Sequence, residues 1–322
     1  MVVRRAYYGA GAGEAPGKMT EDETYDVIVI GGGPAGLAAA LWLARYRLRV
    51  RVFDAENPRN EETWAVHGYL GLEDIPPMEL RRIGREQATR AGAEYEAATV
   101  ETAEGEKDDF RVTLADGRSF QARRLLFTTG LRDIIPEIPG LDRFYGTSIW
   151  HCPDCDGPTV EGLRVGVIGW GRQIAGFLMQ MLTWTEELVL LTHGHSPELP
   201  PASAEALERF GIPVRTEALV RIEGTDGQVE RVVFEDGSSE EFQAMFFHIA
   251  YGPGSSLPAE LGCEADEEGI LQVDEDFETT VPGVYAAGDI VHGSKLAIRA
   301  ASDGTRAAIG IYRSLLPEER RV

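Results

Sequence analysis

Two stretches of the chain share one order of apolar and polar positions: a short apolar strand, a glycine-rich turn and a helix with one apolar face. The first begins with the apolar run at residues 27–30, which has the length of a buried strand, and a second strand at residues 49–53 follows its helix. The second stretch, LRVGVIGWGRQIAGFLMQML, repeats the strand, the turn and the helix. This alternation predicts an α/β protein with parallel sheets.

The first turn has the spacing of a dinucleotide-binding site. Gly31, Gly33 and Gly36 form G-x-G-x-x-G between strand and helix, and Asp54 follows the second strand. Gly31 allows the tight turn, Gly33 lets the backbone approach a pyrophosphate, and Gly36 lets helix and strand pack closely. The helix N-terminus then faces the phosphates, and Asp54 is placed to bind a ribose hydroxyl. The alternative is a glycine-rich turn with a purely structural role.

The order of the two stretches predicts nested domains. We expect two Rossmann-like three-layer domains, with residues 142–270 inserted into an outer domain formed by residues 25–141 and 271–322. Two chain crossings between the lobes then form a two-stranded hinge. Residues 1–24 have no apolar core of the kind found in secretory signals, so we expect them to form a flexible leader.

The motifs GGGPAG, CPDCDG, GWG and VPGVYAAGD occur in an order that resembles the low-molecular-weight thioredoxin reductases, from Tyr25 to about Leu316. The resemblance implies an FAD-binding outer domain, an inserted NAD(P)H-type domain that carries a redox-active C-x-x-C, and a homodimer. It also implies that Asp289 hydrogen-bonds the ribityl chain of the flavin. The helix after Asp289 then points its N-terminus at the flavin ring, where its dipole stabilises negative charge.

The segment FDAENPRN followed by HGYLG is similar to a subgroup of these flavoproteins that includes fungal and bacterial dithiol oxidases, in which it lies along the FAD. The motifs and the resemblance together give one set of candidate FAD contacts. These are Gly31, Gly33, Pro34, Ala35, Gly36, Asp54, Arg59, Asn60, His67, Val100, Thr129, Gly130, Asp289, Leu296 and Ala297.

The second glycine turn departs from the pattern of NADPH-using members. Their G-x-G-x-x-A ends in a small residue, whereas Ile174 stands at that position here. Their basic cluster after the next strand binds the 2′-phosphate, but LVLLTHGHSPELPPAS offers His193 and His195 and no arginine. Beside the flavin, Leu296 replaces a glutamine that could hydrogen-bond. We therefore predict that NADPH is not the usual donor and that another carrier, such as reduced ferredoxin or another flavin, supplies the electrons.

Cys152 and Cys155 are two of only three cysteines in the chain. A structural zinc needs four ligands, and Cys263 stands alone, so we predict no metal site. C-x-x-C at a helix start instead brings two sulfurs to bonding distance as a redox disulfide. The resemblance implies that Cys155 faces the flavin, that Cys152 attacks the substrate disulfide, and that Asp156 transfers the proton. Dithiol oxidases typically have histidine in place of Asp156, so the aspartate favours the reductase direction.

The net charge of −22, from 53 acidic and 31 basic residues, excludes nucleic acid and anionic membranes as expected partners. The expected partner is a thioredoxin-like protein or a small disulfide or dithiol. Few cysteines and no export signal favour the cytoplasm. The predicted function is transfer of electrons from reduced FAD through the cysteine pair to a disulfide. Two alternatives stay open: a dithiol oxidase that uses oxygen, and an FAD-binding redox sensor without turnover.

Overall fold

The computed structural model describes residues 24–248 and 250–320, so the predicted leader lies outside the described residues except for Thr24. The chain begins with β1 (Tyr25–Ile30), α1 (Pro34–Arg45), β2 (Val50–Asp54), α2 (Pro77–Ala91), β3 (Glu94–Ala97), β4 (Val100–Glu106), β5 (Asp109–Leu114), β6 (Ser119–Phe127) and β7 (Leu131–Ile134). It continues with β8 (Ile149–Trp150), α3 (Pro153–Asp156), β9 (Val165–Gly169), α4 (Ile174–Met181), β10 (Leu188–Leu191), α5 (Pro201–Arg209), β11 (Val214–Arg215), β12 (Leu219–Thr225), β13 (Gln228–Phe234) and β14 (Ser239–Glu241). The remaining elements are β15 (Ala244–His248), β16 (Ala250–Pro253), α6 (Leu257–Glu260), β17 (Val284–Ala286) and α7 (Ala297–Leu315).

The outer lobe is built on a sheet with the strand order β3-β2-β1-β6-β5-β4, and β17 also pairs with β6. β5 pairs with the first part of β6, residues 119–122, and β17 pairs with its last part, residues 125–127. β3, β2, β1, β6 and β17 are parallel. The apolar run at residues 27–30 is almost completely buried, because both faces of a parallel sheet are covered.

The inserted lobe has a second parallel sheet with the order β11-β10-β9-β15-β8. Side chains of β9 alternate between its two faces. Val167 packs with α4 and α5 residues such as Leu178 and Leu207, whereas Ile168 packs with Ile222 and Val232 of the β12-β13-β14 sheet. Two glycine turns therefore sit in two separately covered sheets, which is the predicted fold class.

The two connections between the lobes pair with each other. β7 and β16 form an antiparallel ribbon in which Leu131 lies opposite Pro253 and Ile134 opposite Ala250. The chain thus enters and leaves the inserted lobe through one two-stranded segment. The residue numbers given above for the domain boundaries stay a prediction. No helix within the described part of the chain is long and apolar enough to cross a bilayer.

Candidate active site

The carboxyl ends of three parallel strands, β1, β2 and β6, meet at the first glycine turn. The Gly31 N–H donates to the Phe53 carbonyl at the end of β2, and the Thr128 N–H after β6 donates to the Ile30 carbonyl, each at 2.8 Å. Gly31 has a φ of +111°, which disfavours any side chain. A Cβ on Gly36 would lie 1.9 Å from the Gly31 carbonyl oxygen, so only glycine permits this approach of α1 to β1.

The space at this edge of the sheet fits a dinucleotide. No side chain caps the N-terminus of α1, and a Cβ added to Gly33 would meet no atom within 4 Å. The Oγ1 of Thr129 is buried without a hydrogen-bond partner in the part of the chain that the structure describes. α7 begins at Ala297 after Leu296, also without a side-chain cap and with no acid in its first turn. Unpaired donors and helix N-termini in one place suit the phosphates and ring of FAD.

Asp54 ends β2 and is buried. Its Oδ2 accepts a short hydrogen bond from the Gly32 N–H in the turn, and its Oδ1 accepts from Arg81 at 2.8 Å. Arg81 is also buried, so the two side chains form an ion pair shielded from water. Asp54 therefore holds the shape of the glycine turn from inside, in addition to its predicted place beside a ribose.

Arg59 joins the segment after β2 to the region of the flavin. Its Nε donates to Asp133 in β7 at 2.7 Å, and its Nη1 donates to Asp289 at 3.1 Å. Lys295 donates through Nζ to the backbone carbonyls of Asp289 and Val291 at 2.7 and 3.0 Å. Burial lowers the pKa of Lys295. Two cations thus surround the aspartate that the resemblance places on the ribityl chain.

Cys152 and Cys155 form a disulfide, with Cα atoms 5.3 Å apart. Cys152 is the N-cap of the short helix α3, Pro153 is its first residue, and the Cys155 N–H donates to Cys152 Sγ at 3.2 Å. Both cysteines are partly accessible. Asp154, between them, is exposed and accepts a hydrogen bond from Gln180 at 2.6 Å.

Asp156 follows the disulfide and is only 4% exposed. Burial raises its pKa to about 6, and the charge of a protonated His67 acts in the opposite direction. The Nε2 of His67, from the loop before α2, lies 3.9 Å from Asp156 Oδ1. On the other side of the imidazole, Nδ1 is 2.6 Å from Asp74 Oδ1. The carboxyl group beside the cysteines therefore carries a proton over part of the pH range near neutrality.

His151 precedes the disulfide and is held by one group from β7 and one from the start of the inserted lobe. Its Nδ1 lies 2.9 Å from the Tyr145 hydroxyl, and its Nε2 lies 3.5 Å from Asp133. Burial lowers the pKa of His151, and the Asp133 carboxylate raises it by a smaller amount. This histidine is a hydrogen-bonded structural neighbour of the cysteine pair.

The second glycine turn is closed by the chain itself. The Gly171 N–H, which would face a pyrophosphate, donates to the Pro197 carbonyl at 3.1 Å. The rings of Trp170 and His195 stack with their centroids 3.8 Å apart and an interplanar angle of 16°. The backbone and ring groups at this turn thus contact other parts of the same loop.

The start of α4 differs from the start of α1 in two ways. A Cβ on Gly169 would meet Ile174 Cδ1 at 2.5 Å, so the isoleucine fills the space that a small residue leaves open. Gln173, the N-cap, donates to Glu268 at 3.1 Å, and the other oxygen of that carboxylate accepts from Tyr251. A carboxylate beside this helix start disfavours a second anion.

The structure gathers most of the candidate FAD contacts at one edge of the outer sheet. Gly31, Gly33, Pro34, Ala35, Gly36, Asp54, Thr129, Gly130, Asp289, Leu296 and Ala297 lie at strand ends or helix starts there. Arg59, Asn60 and His67 lie in the loop after β2. Val100 begins β4 beside the end of β2, because the Ala98 N–H donates to the Asp54 carbonyl at 2.9 Å.

Sequence reasoning missed Arg81, Asp133 and Asp74, each of which holds a predicted site residue in place. Arg81 had a readable signal, since it lies in the stripe of buried α2 residues that includes Leu80 and Ala88. An arginine within such a stripe indicates a buried partner. Asp133 and Asp74 lie in segments without periodicity, and the partner of Asp133, Arg59, is distant in sequence.

Comparison with known proteins shows the family of the chain. A family model described as pyridine nucleotide-disulphide oxidoreductase matches residues 25–304. The chain is 31% identical to thioredoxin reductase tcpT of Claviceps purpurea, over 84% of this chain and 88% of that protein. It is 28% identical to thioredoxin reductase of Bacillus subtilis, over 90% and 94% of the two chains. An oxidoreductase from Agrobacterium tumefaciens superposes with a TM-score of 0.83 at 30% identity, over 91% of this chain and 99% of that structure.

Proposed function

Because the chain belongs to the pyridine nucleotide-disulphide oxidoreductase family and is a thioredoxin reductase-like flavoprotein, we propose a specific direction and donor for its chemistry. The Cys152–Cys155 pair passes electrons from reduced FAD to a protein or small-molecule disulfide, and NADPH is not the usual donor. The observation that carries the proposal is the cysteine pair at a helix start, followed by a buried carboxyl group that faces the FAD lobe.

The residues of the chain suit thiol–disulfide exchange. Bound FAD supplies the two-electron chemistry that reduces the cysteine pair. After reduction, the Cys155 N–H stabilises negative charge on Cys152 Sγ, which favours Cys152 as the attacking sulfur. Cys152 bonds to one substrate sulfur, the substrate S–S bond breaks, and the departing sulfur takes a proton. Asp156, whose pKa is about 6, can donate that proton and recover it from the attacking thiol.

The closed second turn supports the donor assignment. Trp170 stacks on His195 and Gly171 bonds to Pro197, so a nicotinamide dinucleotide would have to displace intramolecular contacts. We therefore propose reduced ferredoxin or another flavin carrier as the electron source. The names of the relatives favour a thioredoxin-like protein as the electron acceptor. A homodimer in the cytoplasm completes the proposal, and light scattering measures the oligomeric state.

An anaerobic titration of the purified holoprotein tests donor and direction together. We expect dithiothreitol and a reduced ferredoxin to bleach the flavin absorbance, while NADPH and NADH leave it oxidised. Rapid, complete bleaching by micromolar NADPH would overturn the donor assignment. Cys155→Ser is the variant that should block bleaching by dithiothreitol, with Cys263→Ser as the matched control cysteine. A flavin that stays oxidised with every donor would instead support the redox sensor.

A dithiol oxidase is the second candidate, and the position of His67 favours it. Dithiol oxidases typically carry histidine where this chain has Asp156, and here an imidazole reaches the same carboxyl group from the other lobe. In air, an oxidase would consume dithiothreitol with continuous formation of peroxide. The reductase instead predicts slow peroxide formation and fast reduction of a disulfide substrate once the flavin is reduced.

A further inference from the structure

Two buried polar atoms from different lobes face each other beside the disulfide. His67 Nε2 belongs to the loop before α2, and Asp156 Oδ1 belongs to α3 of the inserted lobe. They are 3.9 Å apart, and neither has a hydrogen-bond partner in residues 24–248 and 250–320. Buried polar atoms are almost always paired, so this facing pair needs an explanation.

The positions of the hydrogen atoms on these two side chains explain the facing pair. Asp74 lies 2.6 Å from His67 Nδ1, and a carboxylate can only accept, so Nδ1 carries a hydrogen. A neutral His67 then presents a bare lone pair at Nε2. If Asp156 were also ionised, two acceptors would face each other in a buried space. One proton, on Nε2 or on Oδ1, turns this repulsion into attraction.

Few other titratable groups of the described residues lie next to His67 and Asp156. The imidazole packs edge-on against Trp64 with ring centroids 5.1 Å apart. The titratable groups around the pair are Asp74 behind His67, and the Tyr145 hydroxyl, which senses the charge of Asp156. Burial raises the pKa of that tyrosine to well above its ordinary value, so it does not exchange protons near neutrality.

We infer that His67 is a positioning residue for Asp156: the two side chains hold one proton between them, and His67, oriented by Asp74, restores the proton of Asp156 during each thiol–disulfide exchange. This inference rests on the proposed function. In the exchange, the Cys152 thiol gives its proton to the His67–Asp156 pair and bonds to a substrate sulfur, while the departing sulfur takes a proton from that pair through Asp156. Cys155 then bonds to Cys152, which breaks the mixed disulfide, and the second substrate sulfur leaves with the Cys155 proton. Two protons and two electrons leave the cysteine pair, and the substrate disulfide becomes a dithiol.

The leaving sulfur gives a direct test. Aromatic disulfides such as 5,5′-dithiobis(2-nitrobenzoate) release a stable thiolate that needs no proton, whereas 2-hydroxyethyl disulfide releases a basic thiolate that does. Holoprotein is reduced with dithiothreitol, separated from it anaerobically, and mixed with each disulfide. We expect His67→Asn, which keeps the bond to Asp74, to slow exchange with 2-hydroxyethyl disulfide by about tenfold and leave the aromatic disulfide unaffected.

Two further variants separate a relay from a merely structural contact. Glutamine at position 67 places an N–H near Asp156 but cannot ionise, so His67→Gln should be as slow as His67→Asn. Asp74→Asn, at an exposed site, should show the same selectivity with a smaller loss. In Asp156→Asn, adding His67→Asn should cause no further loss. The surface variant His292→Asn is the control and should match the unmodified protein.

The outcomes distinguish the inference from the function on which it rests. If the reduced protein reacts with neither disulfide, the proposed function fails. If it reacts with both and His67→Asn changes neither rate, or if His67→Gln restores the full rate, the relay is wrong. The pH profile gives a second readout. Without the opposing positive charge of His67, the titration of Asp156 should move to higher pH.

Discussion

The two strand–turn–helix units have similar sequence patterns, but the space in front of the glycine turn is open in the first unit and filled by side chains in the second. At the first turn, Gly36 brings α1 onto β1 and the space in front of Gly33 stays open. At the second, Ile174 occupies the corresponding place, and Trp170 stacks on His195. The two turns therefore share a backbone pattern but differ in the atoms that fill the mouth of the turn.

The residues that follow the second strand of each unit differ in the same way. Asp54, at the end of β2, is charged and paired with Arg81. Thr192, just after β10, is neutral, and its hydroxyl donates to the His195 carbonyl at 2.6 Å. The first unit thus has a buried ion pair next to its turn, whereas in the second unit the loop after the strand forms a hydrogen bond within itself. Four predictions test this difference, in decreasing order of effect.

The buried ion pair of the first unit should be the most costly feature to disturb. Arg81→Met keeps most of the side-chain volume but leaves Asp54 buried without a cation. We expect the free energy of unfolding to fall by about 4 kcal/mol, with loss of bound FAD, measured by urea denaturation and by the flavin-to-protein absorbance ratio. Arg215→Met in the second unit removes a partly exposed arginine from Glu217 and Glu240, and should cost less than about 1 kcal/mol. Equal losses would mean that Arg81 does not neutralise Asp54.

Each unit also contains one buried carboxyl group. Asp54 is paired with Arg81, whereas Asp156 has no arginine partner among the described residues. Its pKa is raised from 3.8 to about 6, so between these values the folded protein binds the proton more tightly than the unfolded chain. Stability therefore falls as pH rises through this interval, and the full penalty is present above it. Near pH 7.5 the free energy of unfolding of Asp156→Asn should exceed that of the unmodified protein by about 3 kcal/mol, so the variant should unfold at a higher urea concentration. Near pH 4 the two proteins should differ little in stability.

Asp154→Asn is the control for that measurement. Asp154 is exposed and lies two residues away in the same short helix. Because its side chain is exposed, its replacement should change the urea midpoint little. A stability gain of Asp156→Asn that is the same at both pH values would show that burial does not raise the pKa of Asp156.

The third prediction concerns the third residue of each helix. Gly36 and Gly176 are both the third residue, of α1 and α4 respectively. Gly36→Ala places a Cβ against the backbone oxygen of Gly31, and should cost about 3 kcal/mol or less and release FAD. In Gly176→Ala the new Cβ meets no atom within 4 Å, and the position is exposed, so the change should stabilise by up to about 1 kcal/mol. Retention of FAD by Gly36→Ala would contradict the role given to this close approach.

The sequence was sufficient for the fold class and for both turns, because glycine spacing and apolar periodicity are local signals. The helix expected after Asp289 is α7, which begins at Ala297. The sequence did not predict the contacts that close the second turn, because the stacking of Trp170 on His195 depends on the path of the loop between them. The meeting of His67 with Asp156 was likewise beyond it, because that contact depends on how one lobe lies against the other.

The smallest expected effect separates two reasons why the second unit should not bind NADPH. His195→Ala removes the stack on Trp170 and should lower the free energy of unfolding by about 1 kcal/mol. It opens the mouth of the turn but adds no positive charge for a 2′-phosphate, so millimolar NADPH should still not raise the melting temperature. His195→Arg opens the same space and supplies a cation, so any gain in NADPH binding should appear in this variant alone. A melting shift with NADPH in His195→Ala would show that the aromatic stack by itself excludes the nucleotide and that the missing arginine matters little.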